Sequence, residues 1–478
     1  MVNFVKRDKN DIFSIPFLKT IFKNRFFIKA VQIIVLALFI YGIYYGFENP
    51  TKENIFTKNL FWGLFWSLFM VVSLVSFGRI FCGICPHGFL GKYITKYGLK
   101  LEMPKFLKNR YIGITILVVG WWGIYYTLPG ALKIPYATAI MFSVLTLVAF
   151  VFYFLYKDMS YCKYICPIGN LTKAYQKVSF TKLGTYSDSC SSCRTFECTS
   201  ACSYNLKPFT FEKKNSMDDC TLCMDCSSAC ESVNFKLIAP TSSLYNKNKI
   251  ENSDIWVYLL IFASITLSMN FHHALGRSAI SDSFIWSKTA NYIQEITGIS
   301  GLDFVGMFAF IYSIIFVVVI AFFGMYMASL FLKQKFSTTF YTLGYAYAPL
   351  FIIAGLGHLL HSFFTHTYAD ILNGFIQGFN LDFETVSNLA SRKDSWLMIF
   401  EFIPYIAMLI AFVILYKRLK LFIASKARKI GAFIFASSLI LAYLSISIYK
   451  VYVFKTYGAK KTSHNHSTME HKINQGAK

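Results

Sequence analysis

Two cysteine runs, "CSSCRTFECTSAC" at 190–202 and "CTLCMDCSSAC" at 220–230, have the spacing of thiolates arranged to hold iron. The second reads C-x₂-C-x₂-C-x₃-C, a pattern that carries cubane iron–sulfur clusters, with Glu231 where a proline usually follows. In paired runs of this kind the fourth cysteine of each serves the other cluster. One [4Fe-4S] cluster is therefore expected on Cys190, Cys193, Cys198 and Cys230, and a second on Cys220, Cys223, Cys226 and Cys202. The first run is irregular, because four residues separate Cys193 from Cys198. Zinc is the alternative for paired C-x₂-C motifs. A disulfide scaffold belongs to small secreted domains, not to a chain of 478 residues.

The other four of the 12 cysteines form two pairs: Cys82 and Cys85 in "GRIFCGICPHG" (78–88), Cys162 and Cys166 in "YCKYICPIG" (161–169). Each pair is followed by proline, which interrupts the helix and leaves nearby backbone donors free. Together they supply four thiolates, enough for a third cluster. A reactive dithiol or a zinc pair is the alternative.

A second kind of ligand gathers elsewhere. "MNFHHALGR" (269–277) and "GHLLHSFFTH" (357–366) put Met269, His272, His273, His358, His361 and His366 in strongly apolar segments, with Glu401 in another. Ionisable groups in such segments are costly, so each is a functional candidate. His358 and His361 share one helix face. A haem b takes axial ligands from facing helices, and His272 or His273 opposite His358 or His361 would suit it. Copper or iron without a porphyrin would use the same imidazoles, with Met269 or Glu401. Hydrogen bonding between helices is the third reading. The tail "HNHSTMEHK" (464–472) offers His464, His466, Met469 and His471; imidazole with thioether suits copper, and imidazole alone suits zinc or nickel.

The elements that must position these residues are membrane helices. The chain is 55% hydrophobic and only 15% charged. Runs of about 20 apolar residues cross a hydrocarbon core of about 30 Å. Nine spans are expected, near 27–47, 59–78, 111–128, 137–156, 254–275, 304–331, 338–366, 396–416 and 430–453. Segments 1–26, 79–110 and 417–429 are far richer in Lys and Arg than the loops on the other side, which sets the N-terminus and every cysteine on the cytoplasmic side. The net charge of +23 thus points to lipid headgroups and not to nucleic acid. The expected fold class is mainly α: a polytopic helical membrane protein of about nine helices with a small ferredoxin-like α+β insert. Its parts are a cytoplasmic segment 1–26, a four-helix membrane domain 27–170, a cytoplasmic two-cluster insert 171–253, a five-helix membrane domain 254–455 with outward-side histidines, and a periplasmic tail 456–478. No phosphate loop, nucleophile arrangement or paired-carboxylate site stands out, which counts against hydrolase and transferase chemistry.

A membrane-edge CP motif, a second two spans later, and then a two-cluster insert resemble the NapH/CcoG-type membrane polyferredoxin family over about residues 27–240. In that family the edge motifs usually read C-x₃-C-P. The second matches with Cys162, Cys166 and Pro167, whereas the first is C-x₂-C-P with Cys82, Cys85 and Pro86. CcoG-like proteins are expected to follow the insert with a soluble β-domain, and this chain has five further spans. The resemblance implies electron transfer at a bacterial inner membrane, from a cytoplasmic donor or a quinol toward the periplasmic face. The acceptor there would be Cu(II), Fe(III) or a redox protein, which would make the chain an oxidoreductase. A metal transporter, or an oxidase-assembly and metal-delivery factor with redox-sensing clusters, is the alternative.

Overall fold

The computed structural model describes residues 5–128, 130–191, 193–214, 217–239, 242–245 and 251–460; the tail candidates His464, His466, Met469 and His471 lie outside the described residues. Helix dominates because an apolar chain in lipid must satisfy each backbone N–H and C=O within its own segment. Among the described residues eight helices are long and apolar enough to cross a membrane: Arg25–Glu48, Ile55–Phe77, Pro135–Leu155, Asn252–Arg277, Phe304–Leu332, Phe336–Gly378, Ser395–Leu419 and Ser438–Tyr457. A shorter apolar helix, Tyr111–Thr127, occupies the remaining expected position. Bulky apolar residues such as Ile33, Ile34 and Ile40 in the first span and Val144, Leu147 and Val151 in the fourth face outward, as lipid contact requires. The protein is a multi-pass membrane protein of mainly α class.

Two spans differ from their expected limits. The seventh runs on to Gly378 and is broken by a tight turn at Gly344–Tyr347, just before Pro349, whose ring cannot continue the preceding ladder. The last is divided at Ser437 into Lys426–Ala436 and Ser438–Tyr457.

The insert is framed by a two-stranded antiparallel sheet, β1 (Thr181–Thr185) against β2 (Val233–Leu237), with Leu183 opposite Phe235. Both side chains are buried in a core shared with Phe211, Val233, Cys198 and Cys226. Ile12 and Phe13 of the N-terminal segment complete that core. Buried Asp11 accepts the Phe235 N–H at 3.1 Å and pairs with Arg7 at 2.8 Å. Glu231, in the place of the usual proline, clasps the same segment through Lys23 at 2.9 Å, Arg7 at 3.1 Å and Lys19 at 3.3 Å.

Partial burial works against the Glu231 carboxylate, but Lys23 and Lys19 hold it below the usual glutamate range. A depressed carboxyl stabilises the clasp above the ordinary glutamate value and loses that contribution as pH falls through its own. Hydrogen exchange of residues 7–23, corrected for intrinsic rates, should therefore rise as pH drops below about 4. Glu231→Gln should show the raised exchange already at neutral pH and lose the pH step.

The insert is joined to the second membrane half by a buried polar knot. Lys177 pairs with Asp254, and the Tyr345 hydroxyl donates to the same carboxylate at 3.2 Å. Arg418 stacks over the Tyr345 ring at 4.5 Å and donates to the Leu244 carbonyl at 2.5 Å.

Candidate iron–sulfur centre

Each cysteine run of the insert is built on one local device. Phe196 (φ 48°) and Met224 (φ 61°) adopt the left-handed conformation immediately before short helices that begin Glu197-Cys198 and Asp225-Cys226. From these residues on the chain repeats itself, "FECTSAC" against "MDCSSAC", so the irregular spacing of the first run reduces to two extra residues, Arg194 and Thr195. Left-handed backbone costs roughly 1–2 kcal/mol at a residue with a Cβ. In return it turns successive N–H groups inward, the concave geometry used at phosphate and Fe–S sites. The Phe196 N–H donates to the Cys193 thiol and holds it below the ordinary cysteine value. Burial pushes the Cys223 thiol up, against the opposing effects of Lys92 and the Asp225 N–H.

The structure gathers the insert's cysteines in two sets. Cys202, Cys220, Cys223 and Cys226 line one pocket, with Leu183, Tyr204 and Met224 in its wall. Cys198 is in electrostatic range of Cys230, Cys190 and Cys193. The sets meet where Cys226 feels Cys198. Around the set at the pocket Thr221, Leu222 and Met224 are buried, whereas Arg194 to Glu197 beside the Cys190–Cys193–Cys198–Cys230 set are exposed.

A third set forms at the membrane edge. Burial pushes up the thiols of Cys85, Cys162 and Cys166, and each of the three also feels Cys82. Cys85 and Cys166 stand at the N-termini of helices Pro86–Tyr97 and Pro167–Tyr175, with proline as the first helical residue. Proline fits there because its missing N–H would have no helical partner, and the positive helix end faces the thiol. The Gly169 N–H donates to Cys166 at 3.3 Å. A Cβ on Gly169 would meet the Cys162 carbonyl at 2.5 Å, so only glycine lets the two turns close. Tyr153 hydrogen-bonds Cys162 at 2.9 Å and Thr172 contacts Cys82 at 3.4 Å.

The edge set is pressed against the insert. A Cβ on Gly83, between Cys82 and Cys85, would lie 2.8 Å from the Thr221 carbonyl and 3.0 Å from that of Leu222. The acidic residues of "DDCTLCMDC" are held by cations from other elements: Lys92 to Asp225 at 2.5 Å, Arg110 to Asp219 at 3.5 Å and Lys173 to Asp219 at 3.8 Å. Sequence spacing could not reveal that Lys92 would meet Asp225, or Tyr153 Cys162, since each pair joins separate elements. Arg79 and Tyr204 stand beside Cys82 and Cys202 in the chain, but nothing there marks them as partners of the other cysteine sets. Their only signal was charge or hydroxyl beside a membrane helix.

Among the described residues no three His, Cys, Asp or Glu side chains converge closely enough to share a single ion. Thiolates around a cubane bind separate irons and need not converge, so the cavity and its four cysteines fit a cluster.

The histidines form other associations. His272 Nε2 lies 3.0 Å from Asp303, which also caps the Phe304–Leu332 helix through the Gly306 N–H at 2.7 Å. His273 meets the Tyr125 hydroxyl at 3.1 Å, and the two imidazoles are 4.6 Å apart. His366 hydrogen-bonds Ser362 at 2.9 Å and Thr365 at 3.1 Å. His358 and His361 lie on the Ala354–Ser362 helix, Met269 just before the turn Asn270–Ala274, and Glu401 is exposed on Ser395–Phe402. A haem iron or a copper ion at His273 or His366 would have to displace the present partner. Asp303 and Tyr125 carry no motif in the sequence.

A sequence model of the 4Fe-4S binding domain family matches residues 59–104 and 138–185, the stretches that contain Cys82, Cys85, Cys162 and Cys166. The chain is similar to two uncharacterized proteins of Methanocaldococcus jannaschii, each 26% identical, over 230 and 235 residues. Each alignment covers 45% of this chain, and 85% and 93% of the relatives respectively. No solved structure matches.

Proposed function

We propose that this protein is a membrane-bound electron carrier in which three [4Fe-4S] clusters form a line from an exposed outer site to the membrane edge. The outer cluster is held by Cys190, Cys193, Cys198 and Cys230, the middle one by Cys202, Cys220, Cys223 and Cys226, and the edge one by Cys82, Cys85, Cys162 and Cys166. The observation that carries the reading is the contact of Gly83 with the Thr221 and Leu222 carbonyls, which leaves no room for another layer between middle and edge sets. Each cluster supplies a one-electron couple whose potential follows its hydrogen bonds and solvent exposure. The chain's own part is to fix the thiolates, donate N–H groups to them and exclude water.

A soluble cytoplasmic donor reaches the exposed outer loop, or a quinol reaches the membrane-edge set from lipid. Transfer to the opposite face must cross about 30 Å of hydrocarbon. The His272–Asp303 pair and its neighbours are the candidate end of that route, with Cu(II), Fe(III) or a redox protein as acceptor.

The test is iron and acid-labile sulfide analysis of the anaerobically purified protein, with a dithionite-reduced minus oxidised absorption spectrum. Three clusters' worth of both elements and broad visible bleaching are expected. Stoichiometric zinc in place of iron would sink the proposal, and a sharp α-band would add a haem to the route.

A further inference from the structure

Arg79 joins the two inner cysteine sets. It follows the turn at Gly78, and the Cys82 N–H donates to its carbonyl at 2.9 Å, so its backbone belongs to the edge set. Its side chain reaches across the joint and donates to the Asp218 carbonyl at 2.9 Å, two residues before Cys220. It is 1% exposed, one of the most buried large side chains among the described residues, and its Nε has no hydrogen-bond partner among them.

A guanidinium does not lose its proton in proteins, so the buried charge persists and must be offset by what surrounds it. The carboxylate nearest in sequence beyond Asp218 is Asp219, already shared between Arg110 and Lys173. Asp219 acts on Arg79 as well, and beside it stands sulfur: Cys82 and Cys162 on one side and Cys220 on the other act on Arg79 or feel it. The Tyr204 hydroxyl lies in the same surroundings.

We propose that Arg79 is a fixed positive charge shared by the middle and edge clusters, and that it raises the reduction potential of both. The inference rests on the cluster assignment proposed above. Reduction adds one negative charge to a cluster, and a cation held nearby stabilises the reduced form. With an effective dielectric of about 20 and a separation of about 10 Å, the reduced-to-oxidised ratio changes by roughly tenfold. For one electron that is about 59 mV. Lysine could shed its proton when buried, whereas arginine keeps its charge at every working pH. The shift favours passage of electrons from the outer cluster into the inner pair.

The experiment is an EPR-monitored redox titration of the full-length protein in detergent, comparing wild type with Arg79→Gln and Arg79→Lys at neutral and at raised pH. Arg79→Gln should lower both inner midpoints by the equivalent of about tenfold and leave the outer one in place. Arg79→Lys should stay near wild type while its ammonium keeps its proton and fall toward Arg79→Gln as pH is raised, whereas the wild-type midpoints show no such fall. Unchanged inner midpoints in Arg79→Gln, or an equal fall at all three, would overturn the proposal. If Arg79→Gln loses iron, Asp219→Asn examines the same charge with opposite sign: both inner midpoints should rise, and no movement rejects the idea. A wild-type protein lacking the three clusters would refute the assignment beneath it, which iron and sulfide analysis of the same sample reports separately.

Discussion

Serine in place of Cys226 should strip the protein of one cluster's worth of iron and sulfide, and stop reduction of the membrane-edge site by a donor acting at the outer loop. Cys226 is 8% exposed, lines the cavity with Cys202, Cys220 and Cys223, and is the residue through which that set meets Cys198. Loss of a supporting contact around a metal typically lowers affinity by about 10–100-fold, and loss of a ligand should exceed that. The measurement is iron and sulfide content with low-temperature EPR, followed by stopped-flow reduction. The outer and edge signals should survive, because their cysteines are untouched. Wild-type iron content in Cys226→Ser would refute the assignment of that site.

Asp254→Ala should cost about 3 kcal/mol, because it leaves the buried Lys177 ammonium with only the more distant Asp218 carboxylate at 3.9 Å to offset its charge. Asp254 is 2% exposed and the Lys177 side chain 8%. Burial disfavours the charged lysine, but Asp254 and Asp218 outweigh it and hold its value above the ordinary range. A raised lysine contributes fully below its unfolded value and loses that contribution only as pH rises through the folded one, so the deficit should be seen throughout the neutral range. Thermal unfolding in detergent reads it. The double variant Lys177→Met/Asp254→Leu should recover most of the loss, since an apolar pair of similar volume removes both charges together. Equal destabilisation of single and double variants would show that packing, not charge, governs the site.

The mainly α membrane class was legible because lipid imposes one rule on every span, and hydropathy reports it residue by residue. Span limits were less legible where polar breaks such as Ser437 sit inside an apolar stretch, or where Pro349 divides a helix that hydropathy reads as continuous. The cysteine motifs were legible as motifs. The sequence showed no hint that Arg79 would cross to Asp218, that Glu231 would bind Arg7, or that Asp303 would meet His272. These contacts join residues far apart in the chain, and their energetics depend on burial that local pattern does not encode. The "FECTSAC" and "MDCSSAC" repeat was present in the letters, but the two extra residues before Phe196 hid it until the matching left-handed turns were seen.

The clasp of residues 7–23 on the insert sets an order of biogenesis. Arg7 bonds to Glu231 and Val233, residues made 224 and 226 positions later. At roughly 5–20 residues per second, this is about 10–45 s during which the first segment of the chain waits on the ribosome's progress. Four hydrophobic segments are threaded before its partner exists. Throughout that interval Ile12 and Phe13 lack the core they will share with Cys198 and Cys226. Closure of the N-terminus thus waits for the insert, while the membrane spans from Asn252 onward are still to be made.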